Sequence, residues 1–357
     1  MVLESLLIGA LGYVGVIGAC DIAEYRFDIP NPISSQTTRT SRCYDWFEQY
    51  LEKNYDRNKD YSEGLFGKTD SYNEKDYFET NLEAATERKY EYIFNKLDLK
   101  PGMKLLDAGC GTGKWMKYVR DRGVDVVGMT LSEEQAKVVR EKGLDVRVQD
   151  YRVRNTSFLD SFDRITALGS SEHVCSSRGT LKEKGNVAAK RCNQTRIETW
   201  KLFNEYLKPS GKLYVTVLIR NKGKKNSLGD WAQSYVLERH YGGYYSKLDD
   251  IVEKVVPETG FTLTDLQDKT RDYHWSSVSD KDHFGHWTIK WNEDMANKVS
   301  YIFKGLVTDP YLPHHWMYYF MDTWMWQFGG YQDTPLTDEQ VQNAPIQLKY
   351  FMLEKGE

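Results

Sequence analysis

The stretch LLDAGCGTGKW, Leu105 to Trp115, joins a short apolar run to three alternate glycines and then to a lysine and a tryptophan. An apolar run that stops at glycines reads as a buried strand entering a tight turn, with a helix starting beyond it. Gly109, Gly111 and Gly113 let the chain turn sharply and bring bare backbone against a ligand. Outward from this point the alternation repeats: MKLLDAG is a strand, TGKWMKYVRDRG a helix, VDVVGMT a strand, SEEQAKVVREKG a helix and LDVRVQD a strand. FDRITALGS supplies a fourth strand, QTRIETWKLFNEYLKPSG a helix and KLYVTVLIR a fifth strand. Strands and helices alternating over short connections predict an α/β fold with a doubly wound, mostly parallel sheet.

In such a sheet the ligand lies beyond the carboxyl ends of the strands, where the glycine loop falls. A dinucleotide-binding turn would use G-x-G-x-x-G with an acid ending the second strand. Here the spacing is G-x-G-x-G, Asp107 stands two residues before the first glycine, and Thr130 ends the second strand. An acid ahead of the loop suits a ligand with a cationic amine. S-adenosylmethionine (SAM), which carries an amine and a sulfonium, is the expected cofactor, and NAD is not.

The chain has 357 residues, a formal net charge of -4 and a pI near 6.1, so it carries no global attraction for nucleic acid. The basic stretches CSSRGTLKEKGNVAAKRCN and RNKGKK read as solvated loops. Five cysteines, at 20, 43, 110, 175 and 192, form no CxxC pair. Their odd number and spacing argue against a disulfide framework and a zinc site and for a reducing, cytoplasmic setting, with no metal expected. Ser5 to Cys20 is an uncharged, mostly apolar run too short for a confident membrane span, which leaves a buried helix or a peripheral membrane contact. Asp28 to Arg42, rich in Pro, Ser and Thr, reads as a linker. Residues 1–42 are thus expected to precede a domain at 43–357, with the cofactor half at about 80–220 and acceptor-pocket elements at about 221–335. DWFEQYLEKNYD and LEAATERKYEYIFNKLDL predict helices ahead of the first strand.

The pieces LKPGMKLLDAGCGTGKW, VVGMTLSEEQ, VQDYR, FDRI, SEHV, LKPSGKLYV and HFGHWTIKWNEDM occur in the order found in the cyclopropane-fatty-acid synthase-like methyltransferases, and the chain resembles that family over roughly residues 44 to 330. The resemblance implies a class I SAM-dependent methyltransferase fold, Rossmann-like, with N-terminal helices and an aromatic-rich acceptor insertion. It puts Gly109 and Gly111 against the methionine part of SAM, Thr130 and Gln135 near the ribose and adenosine, and Asp150 and Tyr151 beside the adenine. YSEGLF is similar to a segment that closes over the methionine carboxylate, which makes Tyr61 and Ser62 candidates.

The family's cyclopropane chemistry, as the resemblance implies it, uses a bound bicarbonate as base, held by a Cys, the Glu of E-H-V, a His and a late Tyr. Glu172 stands in SEHV, and Tyr318 or Tyr319 fits the late tyrosine. Glu63 occupies the Cys position, and Val217 is read at the His position. A carboxylate repels bicarbonate and a valine cannot donate to it. Plain methyl transfer to a small nitrogen, sulfur or carboxylate acceptor is therefore the leading expectation, with Glu172 or Glu63 orienting or deprotonating the nucleophile. His173 is expected to be structural. HHWMYYFMDTWMWQF, with Trp287 and Trp291 upstream, reads as helix packing or an acceptor pocket. The alternatives are a lipid-modifying enzyme acting on unsaturated acyl chains and a noncatalytic SAM-binding protein; the oligomeric state is left open.

Overall fold

The computed structural model describes residues 15–16, 19–20, 22–32, 37–38, 40–45, 48, 62–67, 82–179, 186–221, 238, 243–279, 336–344 and 346–356. Helix α1 (Leu82–Lys96) leads into β1 (Lys104–Ala108), α2 (Lys114–Arg120), β2 (Asp125–Thr130), α3 (Glu133–Glu141) and β3 (Asp145–Val148). Then come β4 (Phe162–Leu168), α4 (Asn186–Tyr206), β5 (Leu207–Arg220), β6 (Phe261–Asp268), α5 (Thr270–Ser279), α6 (Asp338–Asn343) and β7 (Ile346–Lys355). The seven strands lie in the order β3-β2-β1-β4-β5-β7-β6. The first five run parallel, and β7 is inserted antiparallel between β5 and β6.

Strands covered on both faces are mostly apolar, and Leu105 to Ala108 are all buried, Asp107 being the polar exception. Successive side chains alternate between two cores. Leu105, Val126, Val146 and Tyr214 pack on one face under Ile93 of α1, Trp115, Met116 and Val119 of α2, and Ala136 and Val139 of α3. Leu106, Met129, Ile165, Val215 and Val217 pack on the other, under Trp200, Phe203 and Tyr206 of α4 and Ile251 and Val255 of a π-helical turn. Ser132 starts α3 by accepting the N–H of Gln135 at 3.0 Å, a cap that satisfies a donor the helix cannot.

Three sequence expectations change. Helix α4 starts at Asn186, inside the second half of the basic stretch read as loop. Residues 37–38 and 40–45, read as linker as far as Arg42, are helical. The described cysteines include a bonded pair: Cys175 is joined to Cys192, their Cα atoms 5.2 Å apart, while Cys20, Cys43 and Cys110 are free. An odd count excludes full pairing but not one bridge, and folding brings these two sulfurs together from a loop and from α4.

Candidate active site

At the carboxyl ends of β1, β2 and β4 lies a cavity of about 230 Å³. Its floor is the glycine loop. The N–H groups of Gly109 and Cys110 both donate to Met129 O at 2.9 Å, tying the loop to the end of β2. Gly109 has φ +92°, and a Cβ there would lie 2.4 Å from Ser170 Cβ, so glycine permits the close approach of the loops after β1 and β4. Gly111, φ +52°, is different: a Cβ would meet no atom within 4 Å and would project from the cavity wall. Gly113 does not line the cavity. It is the N-cap of α2, where a Cβ would press on Val139 at 3.0 Å.

Asp107 is buried at the end of β1 and accepts from Thr166 Oγ1 at 2.9 Å, while Trp115 Nε1 donates to the same hydroxyl at 3.2 Å. Thr130 Oγ1 donates to Gln135 Oε1 at 2.8 Å, which joins the end of β2 to the first turn of α3. Asp150 is gripped by Arg152, with Nε at 2.9 Å from Oδ1 and Nη2 at 2.6 Å from Oδ2. Burial alone would raise the Asp150 carboxyl, but the hydrogen bonds and charge of Arg152 outweigh it and hold it below the usual carboxylate range. Tyr151 donates to Ser170 O at 2.6 Å, and burial keeps this phenol protonated.

The helical residues 40–45 close one side of this end. Ser41 Oγ donates to Leu131 O at 2.9 Å, Ser132 Oγ donates to Asp45 at 2.6 Å, and Tyr44 Oη lies 2.9 Å from His173 Nε2. Arg152 Nη2 also donates to Thr37 Oγ1 at 2.7 Å. Thr37, Thr40 and Tyr44 all line the cavity.

Glu172 sits on a single turn, Ser171–Val174, after β4. Its Oε1 accepts the N–H of Leu218 at 2.9 Å, and its buried Oε2 has no hydrogen-bond partner among the described residues. Burial pushes the carboxyl up to about 7, against the lowering effects of the Leu218 N–H and of Arg196. Arg196, fully buried on α4, braces the turn by donating to Ser171 O at 3.0 Å and to Ser246 Oγ at 2.6 Å.

Glu63 lies on a strap, Ser62 to Phe66, whose backbone is fastened at the three residues that follow Glu63. Gly64 N donates to Ser276 Oγ at 2.9 Å, Leu65 N to Ala85 O at 2.9 Å and Phe66 N to Asp272 Oδ1 at 2.7 Å. Gly64 approaches α1 so closely that a Cβ would stand 2.5 Å from Ala85 Cβ. The Glu63 carboxylate accepts from the hydroxyl of Tyr350 on β7, and Lys89 donates to Ser62 Oγ.

Of the residues the sequence singles out, Ser62, Glu63, Asp107, Gly109, Gly111, Thr130, Gln135, Asp150, Tyr151 and Glu172 line this one cavity. Tyr61, Tyr318, Tyr319, Trp287 and Trp291 lie outside the described residues. Val217 is misplaced by the sequence reading. Its side chain packs in the core on the far side of the sheet, and Leu218 is the β5 residue that reaches the cavity. Counting by one residue along a strand moves a side chain to the opposite face, which is why the error matters. Arg152, Arg196, Tyr44 and Tyr350 were not singled out. VQDYR does contain Arg152 next to a chosen acid, but nothing local marks the other three. Among the described residues, no group of three His, Cys, Asp or Glu side chains could hold a metal ion.

The chain matches the family model for mycolic acid cyclopropane synthetase over residues 34–321. It is 38% identical over 151 residues to the cyclopropane-fatty-acyl-phospholipid synthase of Escherichia coli, covering 37% of this chain and 38% of that one. The chain spans about a third of the length of the first curated relatives it matches. Among solved structures, the cyclopropane synthase MmaA2 from Mycobacterium tuberculosis aligns with 91% of this chain and 100% of its own, at a TM-score of 0.62 and 20% identity. Mycolic acid cyclopropane synthase CmaA1, complexed with SAH and CTAB, aligns with 90% and 99% at the same TM-score and identity. The fold is the class I SAM-dependent methyltransferase fold. With the family model matching most of its length, the chain belongs to the mycolic acid cyclopropane synthetase family.

Proposed function

We propose that the protein is a SAM-dependent methyltransferase whose acceptor is an unsaturated acyl chain of a lipid. The observation that carries the reading is one cavity with two different ends: a glycine loop flanked by Asp107, Thr130 and Gln135, and a buried carboxylate, Glu172, among apolar walls. The residues fit SAM, because Gly111 lines the cavity with bare backbone, no protein atom lies near where its Cβ would stand, and Asp107 offers a carboxyl group to an amine. When bound, SAM supplies an electrophilic methyl group. Gly109 and Gly111 would face its methionine part, Thr130 and Gln135 its ribose, and Asp150 and Tyr151 its adenine. Ser62 would cover the same end, with Tyr61 beside it in sequence.

The acceptor end is walled by Leu168, Leu218, Leu348, Tyr245 and Tyr273, which suits an apolar chain, and the curated relatives carry names in acyl lipid chemistry. Glu172, held by Leu218 N–H and pushed up to about 7, is poised to take a proton near neutral pH. Residues 221–335, with Tyr318, would add the remaining acceptor contacts. The charge of Glu63 favours a second reading, a small amine acceptor, since a carboxylate among aromatic rings also suits a cation. SAM carrying a labelled methyl, offered with vesicles of dioleoyl phosphatidylglycerol and separately with a pool of small amines, tests the choice. Label in the acyl chains is expected; label in the amines alone would overturn the lipid reading.

Among the described residues no helix is long and apolar enough to cross a membrane. Ser5 to Cys20 lies largely outside them. We propose that this run rests at a membrane interface, close to the lipid acceptor.

A further inference from the structure

Tyr350 comes from β7, the last strand of the chain, and the role of that strand in the site is visible only in three dimensions. Leu348 lines the cavity, and Tyr350, two residues on and on the same face, gives its hydroxyl hydrogen to Glu63. Both partners are buried, Tyr350 at 1% exposure and Glu63 at 7%. The strap cannot carry Glu63 away, because its backbone is bonded to α1 and α5 at three successive residues. A buried carboxyl group bonded through its side chain, on a strap whose next three residues are fastened, is held at one point of the wall.

We propose that Tyr350 is a positioning residue of the acceptor site, holding Glu63 on the wall of the cavity that Glu172 also faces, so that the two carboxylates act as a pair. The proposal deepens the methyltransferase reading and rests on it for the reaction. When an alkene or an amine gains a methyl group it becomes cationic until it loses a proton. Glu172 has an oxygen with no hydrogen-bond partner among the described residues, and it takes that proton as the acceptor's C–H or N–H bond breaks and the electron pair stays behind. Glu63, held by Tyr350, lies on the wall of the cavity where the cation forms. Tyr350 remains a donor throughout, because burial, then the charge of Glu63, lifts its phenol well above its ordinary value.

Two like charges sharing one site are coupled, and the charge of Glu63 makes Glu172 hold its proton more tightly. Other groups bear on the pair. Arg196 on α4 opposes the rise in Glu172, and the phenols of Tyr44, Tyr151 and Tyr245 sense its charge. Tyr214 of β5 senses Glu63, Tyr350 senses Asp272 of α5, and Lys269 lies 5.9 Å from the Tyr350 ring. Lys89 of α1 is bonded to the neighbouring Ser62.

The test separates charge from position. Glu63→Gln keeps an acceptor for Tyr350 but removes the charge; Tyr350→Phe keeps the charge but releases it. Each should lower kcat with dioleoyl phosphatidylglycerol vesicles by about tenfold, with KM and the calorimetric affinity for SAH within about twofold. The double variant should lose no more than the worse single one, because the two residues act as a unit. In the SAH complex without acceptor, the infrared carboxyl band that vanishes in Glu172→Gln reports the titration of Glu172. Its midpoint should fall in Glu63→Gln, and the acid limb of the kcat/KM profile should fall with it. An unmoved midpoint, or a Tyr350→Phe protein with undiminished kcat, would overturn the pairing. If the unaltered protein methylates no vesicle lipid, the lipid reading fails, and the infrared midpoint still decides on the pair.

Discussion

Gly109 and Gly111 stand two residues apart in one loop, yet the structure gives them opposite vulnerabilities. Alanine at 109 combines a left-handed backbone with a 2.4 Å contact on Ser170 and should destabilise the fold by about 3 kcal/mol. Alanine at 111 meets nothing in the protein, so its cost is the left-handed conformation alone, about 1 kcal/mol. It should nonetheless weaken SAH binding at least tenfold. Calorimetry on a folded Gly111→Ala protein that finds unchanged affinity would show that the loop is not the cofactor cradle. Glu172 makes a pH prediction. Because burial raises it from 4.5 to about 7, folding favours its protonated form; that contribution to stability is full below 4.5 and is lost as the pH climbs through 7. Glu172→Gln should therefore match the unaltered protein near pH 4.5 and exceed it at pH 8 by an amount on the order of 3 kcal/mol, read from urea unfolding at the two pH values. Equal stability at both would mean that Glu172 ionises normally. The loop glycines and Asp107 were legible because their chemistry lies in one short stretch. Val217 was misread because facing depends on strand parity, which a motif comparison loses when it slips by one residue.

Among the elements, the five parallel strands and the helices between them were legible from periodicity, which needs only neighbours in sequence. The helical residues 40–44, ahead of the helix predicted from Asp45, were not, since the hold on this segment comes from Asp45 meeting Ser132, 87 positions away, and Tyr44 meeting His173. Asp45→Ala removes the acceptor for Ser132 Oγ and should cost about 1 kcal/mol of local docking. Faster amide exchange at 40–45 with unchanged protection in β1 and β4 would express that loss; unchanged exchange would show that the segment is held by other contacts. The Cys175–Cys192 bond ties the loop after Glu172 to α4 across a sequence separation of 17. Breaking it by Cys192→Ser should lower stability by roughly 3 kcal/mol on loop-closure grounds. A melting temperature insensitive both to that variant and to reductant would argue against the bond. The cysteine count could not reveal it, because pairing is decided by tertiary distance.

Across the whole molecule, the glycine loop and the strand ends beside it come from consecutive units, whereas residues 37–45 and the acceptor end are brought in from distant ones. Glu63 and Tyr350 are 287 residues apart, and β7 enters the sheet only after the chain has passed through α5 and α6. The sequence reading stopped at the fifth strand and so left β6 and β7 unseen; short runs such as IQLKYFMLEK declare themselves as strands only when an unfilled sheet edge is known. A chain lacking residues 1–27 should retain methyl transfer to detergent-dispersed lipid while shifting from membrane to soluble fractions, and unchanged partition would refute the peripheral contact. If one cavity joins a SAM cradle to an acyl acceptor site, methyl-labelled SAM should pass its label into dioleoyl phosphatidylglycerol vesicles. Label is expected in the acyl chains, and is expected to fall sharply in both Gly111→Ala and Glu172→Gln. Label confined to small amines, or none in lipid from a protein that binds SAH, would contradict it.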